Sequence, residues 1–294
     1  MKKILFVASE SVPFIKTGGL ADVVGSLPKS FPKEEFDVRV VIPNYTCIPW
    51  EYRSDFKYIT HFYMDLGQVS GSEYVGVLTT QYDGITFYFI DNQRYFGGNT
   101  PYGDTRFDIE KFCFFSKAAL SILPSINFKP DIIHCHDWQT GVLPVYLHTI
   151  FRDNHFYDNI KTIMTIHNLR FQGIWDIKTL QKITNFPDYV FRPTDMEYNK
   201  DANMLKGGMV YANYITTVSN SYKNEIQNDY YGEGLDGVVR QKSGDLYGIL
   251  NGIDYNEYNP ETDNEYMDVF RRADSAMYED KKQKKVKRSL VDLQ

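Results

Sequence analysis

The sequence has few cysteines and no long apolar segment, and these two absences limit where the protein can work. Its three cysteines, Cys47, Cys113 and Cys135, are odd in number and widely spaced, which argues against a disulfide framework. No stretch approaches the roughly 20 apolar residues of a membrane-spanning helix. The apolar run Ile4–Ala8 is too short for the core of a secretory signal. We therefore expect a cytoplasmic protein with no membrane partner.

An excess of positive charge is also lacking. The chain carries 32 lysines and arginines against 38 acidic residues, which gives a formal net charge of −6. A protein of this charge has no general electrostatic attraction to nucleic acids or anionic membranes. Its 43% apolar and 24% charged residues are typical of a soluble globular protein. We therefore expect no nucleic-acid partner.

We expect neither of two common phosphate-binding loops, G-x-G-x-x-G and G-x-x-x-x-G-K-[ST], in this chain, including the loop after the first apolar run. This disfavours a nicotinamide dinucleotide and a P-loop nucleotide reaction. The loop instead reads Lys16-Thr17-Gly18-Gly19, directly before a helical pattern. A lysine, two glycines and a helix N-terminus suit a bound phosphate, and they suit a tight structural turn as well. The residues alone leave both alternatives open.

Short buried strands alternate with amphipathic helices along the chain, which indicates an α/β fold: a doubly wound, Rossmann-like, mostly parallel sheet. The predicted strands are Lys3–Ala8, Val38–Ile42, Ile132–His136, Thr162–Ile166, Tyr214–Val218 and Tyr247–Leu250. The predicted helices are Leu20–Leu27, Phe107–Leu123, Thr140–Ile150, Ala202–Tyr211 and Ser221–Gln227. Residues 56–91 are rich in aromatic and β-branched residues broken by glycines, and they predict a small antiparallel excursion of the sheet.

The composition changes near residue 255, where we expect a domain boundary. Residues 1–255 carry the α/β pattern and form the predicted Rossmann-like domain. Residues 256–294 are acidic and then basic, and Val286, Leu290 and Leu293 recur there at helical spacing. We interpret this segment as charged, partly helical and solvated, leading to a further domain.

Polar residues gather where a later predicted strand ends. Ligands bind beyond the carboxyl ends of the strands in open α/β sheets, and the stretch PDIIHCHDWQTG brings His134, His136, Asp137 and Trp138 there. Two histidines of one strand face, with His167 as a third ligand, would suit a metal-dependent hydrolase. We favour a core histidine at position 134, no metal, and a carbohydrate site at the strand tip. A carboxylate binds sugar hydroxyls, and an aromatic face packs on a sugar ring.

Donor-rich side chains follow two further strands. His167 and Asn168 end the strand after the HCHDW stretch, and Asn251 follows the last predicted strand. Asparagine is also a common turn residue, so neither asparagine identifies a site by itself. Because they lie at the same edge of the sheet, we include both among the candidate substrate-binding residues.

Six segments, in this order along the chain, resemble the bacterial glycogen synthases and the related plant starch synthases. They are KTGGLADVVGSLPKS, DNQRYF, HCHDWQTG, TIHNLRFQG, YANYITTVS and GILNGIDYNEYNPETD, and the similarity runs from about residue 3 to residue 262. The resemblance implies a retaining glucosyltransferase of GT-B fold, which moves glucose from ADP-glucose to the non-reducing end of an α-1,4-glucan without a cofactor. It also implies that this chain is the N-terminal, acceptor-side half, which needs a C-terminal GT-B domain as its partner.

The resemblance also implies roles for single residues. Lys16 and the backbone of Gly18 and Gly19 would bind the donor diphosphate, and Asp22 would lie close to the same pocket. The residues implied around the transferred glucose and the glucan are Tyr95, Asp137, Trp138, His167 and Asn251.

We expect His167 and Asp137 to be the catalytic residues. A hydrogen-bonding group at His167 would meet the charge that develops as the leaving group separates. Two alternatives to a glucosyltransferase are kept. One is a non-catalytic domain that binds glucan or sugar nucleotide, and the other is the metal-dependent hydrolase.

Overall fold

The computed structural model describes residues 1–252, so the predicted charged segment 256–294 lies outside the described residues. In chain order the strands are β1 (Lys2–Val7), β2 (Phe36–Pro43), β3 (Lys57–Asp65), β4 (Ser72–Tyr82), β5 (Ile85–Asp91), β6 (Ile132–His136), β7 (Lys161–Ile166), β8 (Ile174–Asp176), β9 (Glu197–Tyr198), β10 (Asp201–Asn203), β11 (Tyr214–Thr217) and β12 (Leu246–Gly248). They form a nine-stranded sheet in the order β12-β11-β7-β6-β1-β2-β5-β4-β3 and a three-stranded sheet in the order β8-β10-β9.

The strand β1 lies in the middle of the large sheet. Leu5, Phe6 and Val7 have no exposed surface, as expected for a strand that is covered on both faces. β1 pairs in parallel with β2 on one side and with β6 on the other. The neighbouring pairs from β12 across to β5 are parallel as well. The predicted doubly wound, mostly parallel sheet is confirmed.

The antiparallel part of the sheet lies at one edge. β4 pairs antiparallel with β5, and β3 pairs antiparallel with β4. These strands cover the segment 56–91 that the sequence predicts as an antiparallel excursion, and this prediction is confirmed. Because β5 also pairs in parallel with β2, the excursion extends the main sheet.

Helices cover the sheet and connect its strands. They are α1 (Gly19–Ser26), α2 (Trp50–Arg53), α3 (Gly67–Ser70), α4 (Gln93–Phe96), α5 (Thr105–Ser121), α6 (Val142–His148), α7 (Ile177–Thr184), α8 (Met204–Tyr211), α9 (Asn220–Glu225) and α10 (Asp236–Gln241). The long helix α5 begins after Asp104, whose carboxylate accepts a hydrogen bond from the Phe107 N–H at 3.0 Å. No helix within residues 1–252 has the length and apolar character needed to cross a membrane.

Two predicted helix starts lie two residues too early, for local reasons, and the predicted start of α5 at Phe107 lies two residues too late. Trp138–Thr140 forms a 3₁₀ turn, and the Thr140 hydroxyl donates to the His136 carbonyl at 2.9 Å, so α6 begins only at Val142. Ala202 lies in β10. The helix α8 begins after Asn203, because the Asn203 side chain caps it by accepting from the Lys206 N–H at 2.9 Å. The small sheet of β8, β9 and β10 was not predicted, and the last strand ends at Gly248 instead of Leu250.

Candidate functional site

The candidate site lies where the strand order reverses. After β1 the chain continues to β2 on one side, whereas β6 joins β1 on the other side. In doubly wound folds a crevice opens at such a point, beyond the carboxyl ends of the two strands. The register pairs Val7 with Cys135. The loop Glu10–Gly19 and the residues Asp137–Trp138 therefore leave the sheet on neighbouring strands.

Lys16 and Asp22, both predicted to lie at the donor site, form an ion pair at the start of α1. Nζ of Lys16 is 2.7 Å from Oδ1 of Asp22, and the two side chains are 45% and 37% exposed. An ion pair this exposed contributes little to stability. Because Asp22 belongs to the first turn of α1, the pair places the ammonium group beside the N-terminus of that helix.

Gly18 and Gly19 are not required by the fold of the described residues. Gly18 has an extended backbone (φ −160°, ψ −172°) that any residue can adopt, and no described side chain caps α1. A Cβ added at Gly18 or at Gly19 would meet no described atom within 4 Å. Gly25 of the same helix differs, because a Cβ there would clash with the Val12 side chain and lie 2.7 Å from the Val12 carbonyl oxygen. Among the described residues, the space beside the Cα atoms of Gly18 and Gly19 is therefore open next to Lys16, while the Gly18 N–H is directed at the Glu10 carboxylate.

Glu10 anchors this loop, although it was not among the predicted site residues. Its carboxylate is buried and accepts hydrogen bonds from the Thr17 N–H, the Thr17 hydroxyl (2.9 Å) and the Tyr102 hydroxyl (3.0 Å). Burial raises the pKa of Glu10, while these hydrogen bonds and one from the Gly18 backbone N–H oppose the rise. The signal in the sequence is an acidic residue just beyond the buried strand, in FVASE.

Asp137 joins β6 to β7 at the sheet edge. Its Oδ1 accepts hydrogen bonds from the backbone N–H groups of His167 (2.7 Å) and Asn168 (3.4 Å). Its own φ of 55° lies in the left-handed region that non-glycine residues rarely adopt. Such conformations concentrate at functional sites. Burial raises the pKa of Asp137 to about 7 against the effect of the two hydrogen bonds, and the nearby Glu10 adds to the rise.

Three histidine rings form a stack beside Asp137. The ring centroids of His134 and His136 are 4.3 Å apart, and those of His136 and His167 are 5.3 Å apart. Nδ1 of His136 is 2.9 Å from Nε2 of His167, and Nε2 of His134 is 2.5 Å from the Thr165 hydroxyl. Burial lowers the pKa of His134 to about 3, that of His167 to about 4 and that of His136 well below its usual value. All three rings are therefore neutral at physiological pH.

Each of the three histidines uses one ring nitrogen on a protein partner. His136 and His167, which the hydrolase hypothesis made metal ligands, are hydrogen-bonded to each other. His134 is bonded to Thr165 inside the sheet, as a core histidine would be. Within residues 1–252, no group of three or more His, Cys, Asp or Glu side chains is arranged to hold a metal ion. The geometry gives the hydrolase hypothesis no support.

Trp138 and Tyr95, both predicted near the sugar, are largely covered by protein. Trp138 is 9% exposed; its ring packs edge-on against Phe112 and lies against Gly173, where a Cβ would come within 3.1 Å of the indole. Tyr95 is 1% exposed, and its hydroxyl donates to Glu110 at 2.8 Å. A small part of Trp138 and almost none of Tyr95 reach the surface.

The two candidate asparagines are exposed. The Asn168 side chain accepts a hydrogen bond from the Arg170 N–H at 3.1 Å, which is a turn-forming contact. Asn251 follows β12 and is exposed at the same sheet edge. Hydrogen bonds thus connect Asp137, His167 and Asn168 directly, but no described hydrogen bond connects Asn251 to them.

The prediction that the chain lacks a G-x-G-x-x-G sequence is wrong, because one occurs at Gly232–Gly237. It begins after α9 and runs into the first residues of α10, so it follows a helix and not a strand. The dinucleotide fingerprint requires a strand before the glycines. Gly234 has a φ of 79°, which explains one of the glycines by backbone conformation.

Together these features define a doubly wound α/β domain with a glycine-rich helix start beside Lys16 and a buried carboxyl–histidine group at its switch point. The chain belongs to the starch synthase catalytic domain family, whose model matches residues 3–241.

Three relatives illustrate the match. Over 263 residues the chain is 62% identical to a glycogen synthase of Lachnospira eligens and 62% identical to one of Lachnoclostridium phytofermentans, covering 90% of this chain and 55% of each relative. The catalytic domain of starch synthase IV from Arabidopsis thaliana, solved bound to ADP and acarbose, is similar with a TM-score of 0.77 and 29% identity. That match covers 90% of this chain and 54% of the other. The chain thus spans about half the length of the curated relatives it matches.

Proposed function

We propose that the chain is the N-terminal, acceptor-side half of a cytoplasmic glycogen synthase. The whole enzyme would have a GT-B fold and transfer glucose from ADP-glucose to the non-reducing end of an α-1,4-glucan, with retention of configuration and no cofactor. The domain at residues 1–255 would close against a C-terminal domain, reached through residues 256–294. Support comes from the family match and from relatives called glycogen synthases that are about twice as long as the matched region.

The observation that carries the proposal is the open helix start beside Lys16. Gly18 and Gly19 are neither sterically crowded nor held at positive φ, so the fold of this domain does not explain them. A ligand whose phosphates approach the backbone does explain them, because helix N–H groups and an ammonium group both favour an anion. A diphosphate of a sugar nucleotide has this chemistry, and the similar Arabidopsis structure was solved with ADP.

His167 and Asp137 would act on the glucosyl group itself. A neutral imidazole offers one donor and one acceptor, and it can donate to an oxygen that becomes more negative as the bond to phosphate breaks. Asp137 would accept a hydrogen bond from a sugar hydroxyl while it holds the His167 backbone. We propose no protein nucleophile, and the attacking glucan hydroxyl would enter on the face that the phosphate leaves.

The remaining candidates would shape the pocket. The exposed part of Trp138 and the side chains of Asn168 and Asn251 would contact sugar hydroxyls or ring atoms. Tyr95 is buried against Glu110. This burial favours a structural role for Tyr95, in the wall behind the site, over a direct contact with the sugar.

A non-catalytic binding domain is the second candidate, because the chain covers about half of each relative. A transfer assay separates the two. Radiolabelled ADP-glucose and glycogen are incubated with the chain alone, with a separately expressed C-terminal half, and with both. We expect little incorporation by either half and clear incorporation by the mixture. Binding without incorporation in the mixture would favour the binding domain, and full turnover by the lone chain would contradict the half-enzyme proposal. UDP-glucose in a parallel series identifies the preferred donor.

A further inference from the structure

His167 is held from two sides by consecutive residues of the β6 exit. Asp137 accepts its backbone N–H at 2.7 Å, and Nδ1 of His136 faces its ring nitrogen Nε2 at 2.9 Å. The first contact fixes where the residue leaves the sheet. The second fixes how its ring is turned. The proposed reaction gives His136 itself no contact with substrate.

Packing leaves the His136 ring little freedom. The residue has no exposed surface, and its ring lies against Phe6 at 5.5 Å and 21°, against His134 at 4.3 Å and 27°, and against His167 at 5.3 Å and 28°. Rings stacked on three sides cannot turn without opening the core. His167 is the most exposed of the three histidines in this stack.

The hydrogen bond between the rings has a direction. Exactly one of the two facing nitrogens must carry the proton, since both rings are neutral. The other nitrogen of His136, Nε2, is buried without a hydrogen-bond partner among the described residues. If Nε2 carried the proton, an N–H donor would be orphaned in the core, which is rarer in proteins than an unsatisfied acceptor. The proton of His136 therefore belongs on Nδ1.

We propose that His136 is a positioning residue, whose Nδ1–H donates to Nε2 of His167 and fixes both the orientation and the tautomer of the His167 ring. With Nε2 used as acceptor, His167 carries its own proton on Nδ1. His167 is then a neutral hydrogen-bond donor at the open edge of the sheet. A contact between this donor and the glucosyl group rests on the proposed function. The tautomer of His167 does not depend on the proposed function.

Histidine ¹⁵N NMR of the 294-residue chain tests the tautomers without any assay of activity. The six histidines are assigned with single substitutions. We expect Nδ1-protonated rings for both His136 and His167 between about pH 6 and 8, because their folded pKa values lie below this window. A proton on Nε2 of His136 in the unmodified chain would overturn the proposal, whether or not any variant folds.

Two substitutions of nearly equal shape then separate the hydrogen bond from packing. In His136→Leu the donor is lost, and we expect His167 to become a mixture of tautomers. In His136→Asn the side-chain amide replaces the Nδ1–H group, and we expect the Nδ1-protonated form of His167 to return. The control His134→Leu removes a stacked histidine whose hydrogen bond goes to Thr165, and it should leave His167 unchanged. A His167 signal that is identical in His136→Leu and the unmodified chain would overturn the proposal.

A kinetic cycle in the mixed halves adds the functional readout. We expect His136→Leu to lower kcat about tenfold, as loss of one buried hydrogen bond does, with the donor KM changed less than about threefold. His136→Asn should recover most of the loss. In the His167→Ala background His136→Leu should have no further effect, because a positioning residue acts only through its partner. Equal losses in both backgrounds would overturn the proposal, whereas absence of turnover in the unmodified mixture would count against the proposed function alone.

Discussion

The two polar regions at the switch point are built in opposite ways. At the exit of β1, Lys16 and Asp22 are an exposed ion pair beside glycines that the fold of residues 1–252 does not need. At the exits of β6 and β7, His136 is completely buried, and Asp137 holds its neighbours through backbone hydrogen bonds. Substitutions in the first region should change ligand binding and spare stability. Substitutions in the second should change both, since the same atoms build the core and the site.

The largest effect is expected for His167→Ala in the mixed halves. Removing a preorganised donor that meets developing charge costs about a hundredfold or more in kcat, and donor KM should change far less. The chain should also lose stability, because the His136 ring loses its hydrogen-bond partner. Steady-state kinetics and urea unfolding measure the two effects. A loss confined to KM would show that His167 binds the ground state only.

Lys16→Ala should lower kcat/KM for ADP-glucose about ten- to a hundredfold, the value of one charge-assisted contact of about 1.5–3 kcal/mol. Its unfolding midpoint in urea should stay close to that of the unmodified chain, because an exposed ion pair contributes little. The matched control Lys29→Ala removes a lysine of another ion pair, with Asp83, and should leave the kinetics unchanged. Unaltered kinetics in Lys16→Ala would remove this residue from the donor site.

Two glycine substitutions in one helix sharpen the comparison further. Gly19→Ala should raise donor KM several-fold while stability is unchanged or rises by up to about 1 kcal/mol, since alanine favours a helix. Gly25→Ala should instead destabilise the chain by about 1–3 kcal/mol through overpacking against Val12. Urea unfolding and donor kinetics of both variants provide the test. Loss of stability in Gly19→Ala would mean that the fold needs this glycine after all.

The buried histidines predict a smaller, pH-dependent effect on stability. The folded pKa values of His134, His136 and His167 lie below the unfolded value near 6.5. Below about pH 6.5 the unfolded chain therefore binds more protons than the folded chain, and the free energy of unfolding falls as the pH drops. Asp137 acts in the opposite sense: its folded pKa of about 7 exceeds the unfolded value, so its contribution to stability falls as pH rises towards 7. Each such group changes the slope of the free energy of unfolding against pH by about 1.4 kcal/mol per pH unit.

Urea titrations between about pH 4.5 and 6 measure this slope. In His136→Leu the slope should be smaller by about one proton, and in Asp137→Asn it should be steeper by about one proton. An unchanged slope in His136→Leu would mean that this ring is not held neutral in the folded chain.

Continuous apolar runs made most of the sheet predictable. The strand Ile132–His136 was predicted to the residue, because its apolar residues are bounded by a proline on one side and by polar residues on the other. The strands β8, β9 and β10 were missed because two or three residues give no measurable period. The start of α8 was misplaced because an asparagine cap resembles any other polar residue in an apolar window.

The site was predictable at the level of residue types and not of contacts. Lys16, Asp137 and His167 stand out because they follow buried strands. The hydrogen bond between His136 and His167 depends on the register that pairs His136 with Thr165, which no local pattern encodes. Glu10 was overlooked because its partner Tyr102 lies far away in the sequence.

The most direct test is a crystal structure of the two halves mixed with ADP. The account predicts phosphate oxygens at hydrogen-bond distance, about 2.7–3.2 Å, from Nζ of Lys16 or from the N–H group of Gly19. A bound ADP whose phosphates contact only the second domain, with the start of α1 left in solvent or covered by protein, would contradict it.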